Sequence, residues 1–411
     1  MNITMKIKSL HAREILDSRG MWTVEAEVKL ADGASAVASV PQGKSTGSSE
    51  AAALPAEQAV RGIEKTIAPK VRGRSFADQA AFDAFLNGLD GTANKKRLGA
   101  NAVLGLSIAF LRACAEAKGM PLWRHIKEVF EAGFGDTTDA KRGSRKKAHP
   151  LPRLFMNVVN GGLHAGNNLH FQEYLVIPKT SSLHEAVMLG THVYHELGQA
   201  LARSKGKAAL NIGDEGGYAP DFKDDAEPFR ILRHVIESLH YERSIDFGMD
   251  AAATDAKLAE PALGDFYKNF IKQFRPLYLE DPFGEEQFTD FAAITSRYGS
   301  TADAGVWIAG DDLTTTNVRR MERAHAEGSV NAVIVKPNQI GSVSEALDAV
   351  RAARRYGWRV VASHRSGETN DTFIADFAVG VGADGIKLGA PARGERIAKY
   401  NRLLEIEREI R

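Results

Sequence analysis

Apolar and polar residues alternate in step along Thr23-Val24-Glu25-Ala26-Glu27-Val28-Lys29-Leu30, the period of a half-buried strand. Ala31-Asp32-Gly33 is turn chemistry, and residues 35–40 resume an extended pattern, so the first 40 residues predict strands that include a hairpin. Helical spacing of apolar residues follows at 51–68, 76–89, 101–118 and 122–132, with Gly119-Met120-Pro121 dividing the last two. Residues 133–152 break the pattern. They include Lys141-Arg142-Gly143-Ser144-Arg145-Lys146-Lys147, read as a solvated connection rather than an anion or nucleic-acid patch. Beyond them, short apolar runs alternate with helical patterns, which predicts a parallel β/α architecture. The eight strand candidates are 171–177, 209–212, 245–249, 277–279, 306–309, 331–335, 359–362 and 385–388. Eight strands with helices between them predict a closed barrel.

Composition narrows the function classes. The chain of 411 residues is 44% hydrophobic, with 53 Lys+Arg against 52 Asp+Glu and a net charge of +1. Nothing in that balance calls for nucleic acid or an anionic membrane surface. Cys114 stands alone, so no intramolecular disulfide forms, and its apolar helical surroundings predict a buried, inert thiol. Met1-Asn2-Ile3-Thr4-Met5-Lys6 has no apolar run of signal-peptide length, and no uncharged apolar stretch of ~18 residues is present. The expectation is a soluble cytoplasmic protein.

The chemistry lies where the apolar runs end. The second runs into Gly213-Asp214-Glu215-Gly216-Gly217, the third ends in Asp250 and the fourth in Glu280-Asp281-Pro282. The fifth ends in Gly310-Asp311-Asp312, the sixth in Lys336, the seventh in Ser363-His364-Arg365-Ser366, and the eighth carries Lys387. In β/α barrels that end of the strands is where active sites form. Asp250, Glu280 and Asp311 lie one β/α unit apart, so adjacent strands would bring three carboxylates together. Such a set repels itself unless a cation neutralises it, and hard oxygen ligands suit Mg²⁺. A lysine beside that cation and beside Lys387 has its protonated form disfavoured, so Lys336 is expected to have a lowered pKa and to act as a base. Glu215, in a glycine-flanked loop, is the candidate acid. His364, Arg365 and Ser366 suit a phosphate or carboxylate. Gly43-Lys44-Ser45-Thr46 looks like the end of a P-loop, but Ala38 stands where that pattern needs glycine.

These residues resemble the enolase family along nearly the whole chain. The resemblance is carried by the segment from His11 to Gly20 (HAREILDSRG), Leu98-Gly99-Ala100-Asn101-Ala102, and Asn160-Gly161-Gly162-Leu163-His164-Ala165-Gly166-Asn167. It continues through the Gly213 and Asp311 motifs, Lys336-Pro337-Asn338-Gln339-Ile340-Gly341, Ser363 to Thr369, and Pro391 to Asn401. It implies an α/β fold, an enolase-type (β/α)8 barrel with a smaller N-terminal α+β domain. The corresponding units are 1–132, a linker at 133–152, and a barrel at 153–411. It implies Mg²⁺-dependent dehydration of 2-phosphoglycerate through an enolate. Asp250, Glu280 and Asp311 would hold the first Mg²⁺, and Ser45 would join a second that is recruited with substrate. Lys336 would be the base and Glu215 the acid, supported by Glu173. Arg365 and Ser366 would grip the phosphate, Lys387 and His164 would position substrate, and Gln172 and His364 would lie nearby. A lysine base working with Mg²⁺ is a known feature of the enolase superfamily, and the resemblance assigns that role to Lys336. A homodimer or higher homo-oligomer is implied as well.

Several positions depart from the family pattern. Met21-Trp22 replaces Asn-Pro, Gln42-Gly43-Lys44 replaces Ser-Gly-Ala, and Ala251 to Ala256 differ from the usual sequence after the first metal ligand. The segments after Glu50 and Asp255 look shortened. Lys44 adds a substrate-side cation, which raises an alternative: a specialised paralogue acting on a phosphorylated or phosphonylated acid with an extra acidic group, similar to carboxyphosphonoenolpyruvate synthase. A non-catalytic structural role would predict damage to Lys336, Glu215 or the carboxylates, and all are present. Sugar-acid dehydration or racemisation is the remaining alternative, and the Arg365-Ser366 grip and the Ser45 loop argue against it.

Overall fold

The computed structural model describes residues 5–44, 47–134, 151–256, 260–299 and 305–411; Ser45, Thr46 and the basic run at 141–147 lie outside them. The N-terminal part is a four-stranded sheet, β3-β2-β1-β4, from β1 (Met5–Leu16), β2 (Trp22–Leu30), β3 (Ser35–Ser39) and β4 (Ser75–Phe76). The period-two alternation of β2 turns Val24, Ala26, Val28 and Leu30 inward. They meet the helix Ala100–Ala117, where a side chain at Gly105 would crowd Ala26 and Val40, so helix and sheet approach closely. That helix is long and apolar enough to cross a membrane by composition, yet 83% of it is buried inside the fold, and it is the core of this domain. Cys114 is buried on it, and burial pushes its thiol up to about 12, which makes it inert.

The helical pattern at 51–68 begins only after Pro55. It runs as Ala56–Arg61, a π-helical turn Gly62–Ile67, and Ala68–Val71. The pattern at 76–89 splits into β4 and the helix Gln79–Asp90, started by the Asp78 side chain accepting from the Ala81 N–H. Leu122–Ala132 is a helix over the expected span.

The barrel closes in the order β10-β11-β12-β5-β6-β7-β8-β9. Its strands are β5 (Arg153–Asn160), β6 (Glu173–Pro178), β7 (Ile245–Asp250), β8 (Tyr278–Glu280), β9 (Trp307–Gly310), β10 (Ala332–Val335), β11 (Arg359–Ser363) and β12 (Gly385–Lys387). Eight strands close the barrel, but two expectations fail. Residues 209–212 are not a strand: Lys207–Leu210 is a 3₁₀ turn that sends Ala209 into the core, while Leu210 and Ile212 face solvent. The place of the expected strand is taken by β5, buried over nearly its whole length. Nor is the sheet wholly parallel, since β6 runs antiparallel to both β5 and β7.

Phe155, Leu175, Ile177, Tyr278, Trp307, Ile334 and Val361 form a separate apolar cluster inside the barrel. Gly385 leaves the space that the Phe155 ring fills. The N-terminal domain is clamped to the barrel by buried polar contacts. Asp83 accepts from the N–H and hydroxyl of Ser344, and Arg112 grips Asp371 with two hydrogen bonds of 2.6 and 2.7 Å. Gln42 bridges to Gly367, which carries Gly43 and Lys44 over the mouth of the barrel.

Candidate active site

Strand register assembles the charged residues. Asp250 at the end of β7 pairs with Glu280 at the end of β8, and Ser363 pairs with Lys387 at the ends of β11 and β12. Because β6 is reversed, its first residue rather than its last reaches the rim: Glu173 pairs with Asn160 on one side and Asp250 on the other. A rule that considers only C-terminal strand ends would put Pro178 there. The cleft is lined by Gly43, Lys44, His164, Gln172, Glu173, Glu215, Asp250, Asp281, Asp311, Asp312, Lys336, His364, Arg365 and Ser366 among others, and holds about 480 Å³ including its open mouth.

The three expected metal carboxylates do not share one partner. Lys387 sits among one set, 2.6 Å from Glu280, 3.0 Å from Glu173 and 3.2 Å from Asp250. Lys336 holds Asp311, whose other oxygen accepts from Gln339 at 2.9 Å. Thr316 fixes this arrangement by donating to Gln339 and accepting from the Lys336 N–H. Among the described residues, two groups bring their ligand atoms within 4.8 Å of one another: Asp281 with Asp311 and Asp312, and His164 with Glu173 and Glu215.

Without a cation at the site, both lysines are governed by the carboxylates they face. Burial pulls Lys336 down, but the surrounding carboxylates, Asp311 first and then Glu280, together outweigh it, and the pKa lies above the ordinary lysine value. Lys387 is likewise pulled down by burial and carried well above by Asp250, Glu173 and Glu280. In this charge arrangement both are ammonium ions. The carboxylates carry the opposite strain. Burial and then Asp250 push Glu280 up to about 8, and burial and then Asp311 push Asp312 up to about 7. Glu280 Oε1 is buried and accepts no hydrogen bond. An all-oxygen donor set with surplus negative charge and an unused buried oxygen fits a divalent cation.

Glu215 lies on a loop rather than behind a strand. Asn157 donates to its Oε2 at 3.0 Å, and His164 and His364 each approach to 3.6 Å. Arg396 meets His364 at Nδ1, and a guanidinium can only donate. The proton of His364 is therefore on Nε2, facing Glu215. Burial lowers His364 to about 4, so the ring is neutral at pH 7. Burial raises Glu215, but His164, His364 and Arg396 outweigh it, and its pKa lies well below the ordinary value. Burial holds Glu173 well above its ordinary value despite Lys387. The expected acid is thus the ionised member of the pair in this state, and Glu173 is the one that favours a proton.

The anion grip is occupied by the protein itself. Arg365 makes two hydrogen bonds to Glu50, at 3.0 and 3.1 Å, and Ser366 accepts from Arg19 at 3.4 Å. Lys44 pairs with Asp214 at 2.8 Å. Ser45 lies outside the described residues. Sequence reasoning gives no role to Arg19, Glu50, Asn157, Asp281, Asp312, Gln339, Thr316 or Arg396. Asp281 and Asp312 directly follow the expected ligands Glu280 and Asp311, which is a usable signal; Asn157 belongs to β5, the strand that no terminal charge marks. Asp281 accepts from the N–H groups of Asp311 and Asp312, and its φ of +38° is strained for a residue with a side chain.

Known proteins are similar over this whole arrangement. The family model "Enolase, N-terminal domain" matches residues 7–126, and "Enolase, C-terminal TIM barrel domain" matches 148–256 and 253–411. Enolase 2 of Hevea brasiliensis is 40% identical, over 99% of this chain and 96% of its own length. The enolase of Methanopyrus kandleri is 43% identical over 98% and 96%, and that of Methanosarcina acetivorans 42% over 98% and 95%.

Proposed function

The chain belongs to the enolase family, and on that premise we propose that it is a hydro-lyase converting 2-phosphoglycerate to phosphoenolpyruvate and water. What supports this reading is one cleft that holds a lysine, a histidine-flanked carboxylate pair and an arginine–serine anion grip. Lys336 Nζ, once it has given up its own proton and stands as the free amine, takes the proton from C2, and the electron pair of that bond moves into the substrate carboxylate to give the enolate. The Glu215/Glu173 pair then delivers a proton to the C3 hydroxyl, which leaves as water while the C2–C3 double bond forms. Opposed pKa shifts within such a pair suit that task, with Glu173 as the proton holder and Glu215 as its acceptor-side partner. Asp250, Glu280 and Asp311 would hold one Mg²⁺ and Ser45 a second. Bound there, Mg²⁺ supplies positive charge that competes with Lys336 for Asp311 and stabilises the negative charge of the enolate. Arg365 and Ser366 bind the phosphate after exchanging Glu50 and Arg19, while Lys387, His164, Gln172 and His364 orient the substrate.

We extend the proposal to a cytoplasmic homo-oligomer, dimer or larger, with 1–132, 133–152 and 153–411 as its working units. The paralogue reading keeps one supporting observation, that Lys44 lines the cleft. The test is enol formation followed by near-ultraviolet absorbance, with purified protein, Mg²⁺ and 2-phosphoglycerate, beside Lys336→Ala. Rapid turnover that needs metal and Lys336 is expected. A folded, Mg²⁺-binding protein without turnover would sink the reading and move the search to analogues with an added acidic group.

A further inference from the structure

The cations around the cleft are not equally committed. Lys387 and Arg365 are 2% and 4% exposed and are held by buried carboxylates, and Lys336, bonded to Asp311, is 14% exposed. Lys44 differs. Its side chain is 43% exposed, and its partner Asp214 is 27% exposed. An ion pair in that position adds little net stability, because water screens it and two side chains lose freedom. It is the pair that an incoming anion exchanges at least cost. A compact ammonium on a flexible stem at the mouth also meets a doubly charged acid before the deeper groups do.

From this we infer that Lys44 is a substrate-capturing, specificity-determining residue, which leaves Asp214 to bind the anionic end of the incoming acid. The inference deepens the proposed reaction and rests on it for the identity of the substrate. It concerns capture, not chemistry, so it predicts a change in KM with kcat preserved. Asp214 is then a competitor for Lys44, not a helper.

The alternative use of the pair is a clasp, in which Lys44 and Asp214 hold the N-terminal domain onto the Glu215 loop. The two roles separate on Asp214. If Lys44 captures substrate, Asp214→Asn frees it, and KM stays level or falls. If the pair is a clasp, Asp214→Asn and Lys44→Ala are equally harmful.

The experiment measures kcat and KM for 2-phosphoglycerate with Mg²⁺, at low and high salt, for wild type, Lys44→Ala, Lys44→Arg and Asp214→Asn. Inorganic phosphate affinity of the same proteins is measured in parallel by calorimetry. Lys44→Ala is expected to raise KM about ten-fold, a charge-assisted hydrogen bond less a weak surface pair. It should also flatten the salt dependence of kcat/KM, and Lys44→Arg should restore both. An unchanged KM in Lys44→Ala, or an equal rise in Asp214→Asn, would overturn the inference. If wild type turns nothing over, the reaction reading fails separately. The phosphate arm then decides: weaker binding in Lys44→Ala alone upholds the capture role, and unchanged binding ends it.

Discussion

The two ends of the barrel are built from the same strands and obey opposite rules. Midway and below, Phe155, Tyr278, Trp307 and Ile334 interlock without charge, with Phe155 edge-on to Tyr278 at 4.9 Å between ring centroids. At the rim above them, Glu280, Asp311 and Lys387 are buried and Lys336 is nearly so, with like charges crowded together. The Tyr278 hydroxyl joins the two layers by donating to Glu280 at 2.6 Å. The lesson is a division of labour: the apolar layer stabilises the barrel, and the rim spends part of that stability on holding charges where chemistry needs them.

The sharpest way to break the comparison is to neutralise the rim. Glu280→Gln removes one carboxylate from a set that outnumbers its lysine, so the metal-free protein should be no less stable, with its melting temperature level or higher. Turnover should nonetheless fall by about 10³-fold, the scale of losing one group that acts on transition-state charge. A large drop in melting temperature with activity retained would show that the rim is structural. The reverse experiment attacks the apolar layer. Trp307→Ala should cost about 3–5 kcal/mol in denaturant unfolding through the cavity it leaves, while kcat per folded molecule stays near wild type. The Trp307 N–H is buried without an acceptor, so the ring is kept for its shape, and Trp307→Phe should cost far less.

The rim is legible in sequence because a charged residue at the end of an apolar run is improbable unless something uses it. Strand β5 is not, because it ends in Asn160 and carries no such charge. Its connection to β6 does hold a usable signal. Residues 161–172 contain only the short turn Gly162–His164, too little for the crossover that a parallel pair requires, so β6 has to return antiparallel. That reversal is what brings Glu173 to the site. Which lysine neutralises which carboxylate is beyond sequence reasoning. The spacing of the carboxylates leads to a cation beside Lys336, and the fold adds what spacing does not contain, that Asp311 is the carboxylate Lys336 pairs with.

A buried titratable group outside the barrel tests whether electrostatic strain is confined to the rim. His125 lies in the N-terminal domain near Lys118, and burial, then that lysine, lower it to about 4. Its folded pKa lies below the unfolded value, so the unfolded chain binds more protons between the two. No cost exists well above pH ~6.5, stability falls as pH drops through this window, and the loss levels off below about 4 at roughly 3 kcal/mol. His125→Gln should remove that part of the acid dependence without touching the pH profile of turnover. If the profile moves with it, the two domains share one electrostatic system.

The smallest expected effect is the most local. A cation that binds the folded rim and not the unfolded chain stabilises by mass action, about 2.7 kcal/mol at a hundred times its dissociation constant. Mg²⁺ should therefore raise the melting temperature, and chelation should reverse it. Hydrogen exchange sharpens the prediction further. Added protection should appear at the ends of β7, β8 and β9, where Asp250, Glu280 and Asp311 stand, and not in the amides around Trp307. In Glu280→Gln both the thermal shift and the added protection should shrink together. A Mg²⁺ shift that survives in that variant would move the cation to the neighbouring Asp281, Asp311 and Asp312 group, whose oxygens already lie within 4.8 Å of one another.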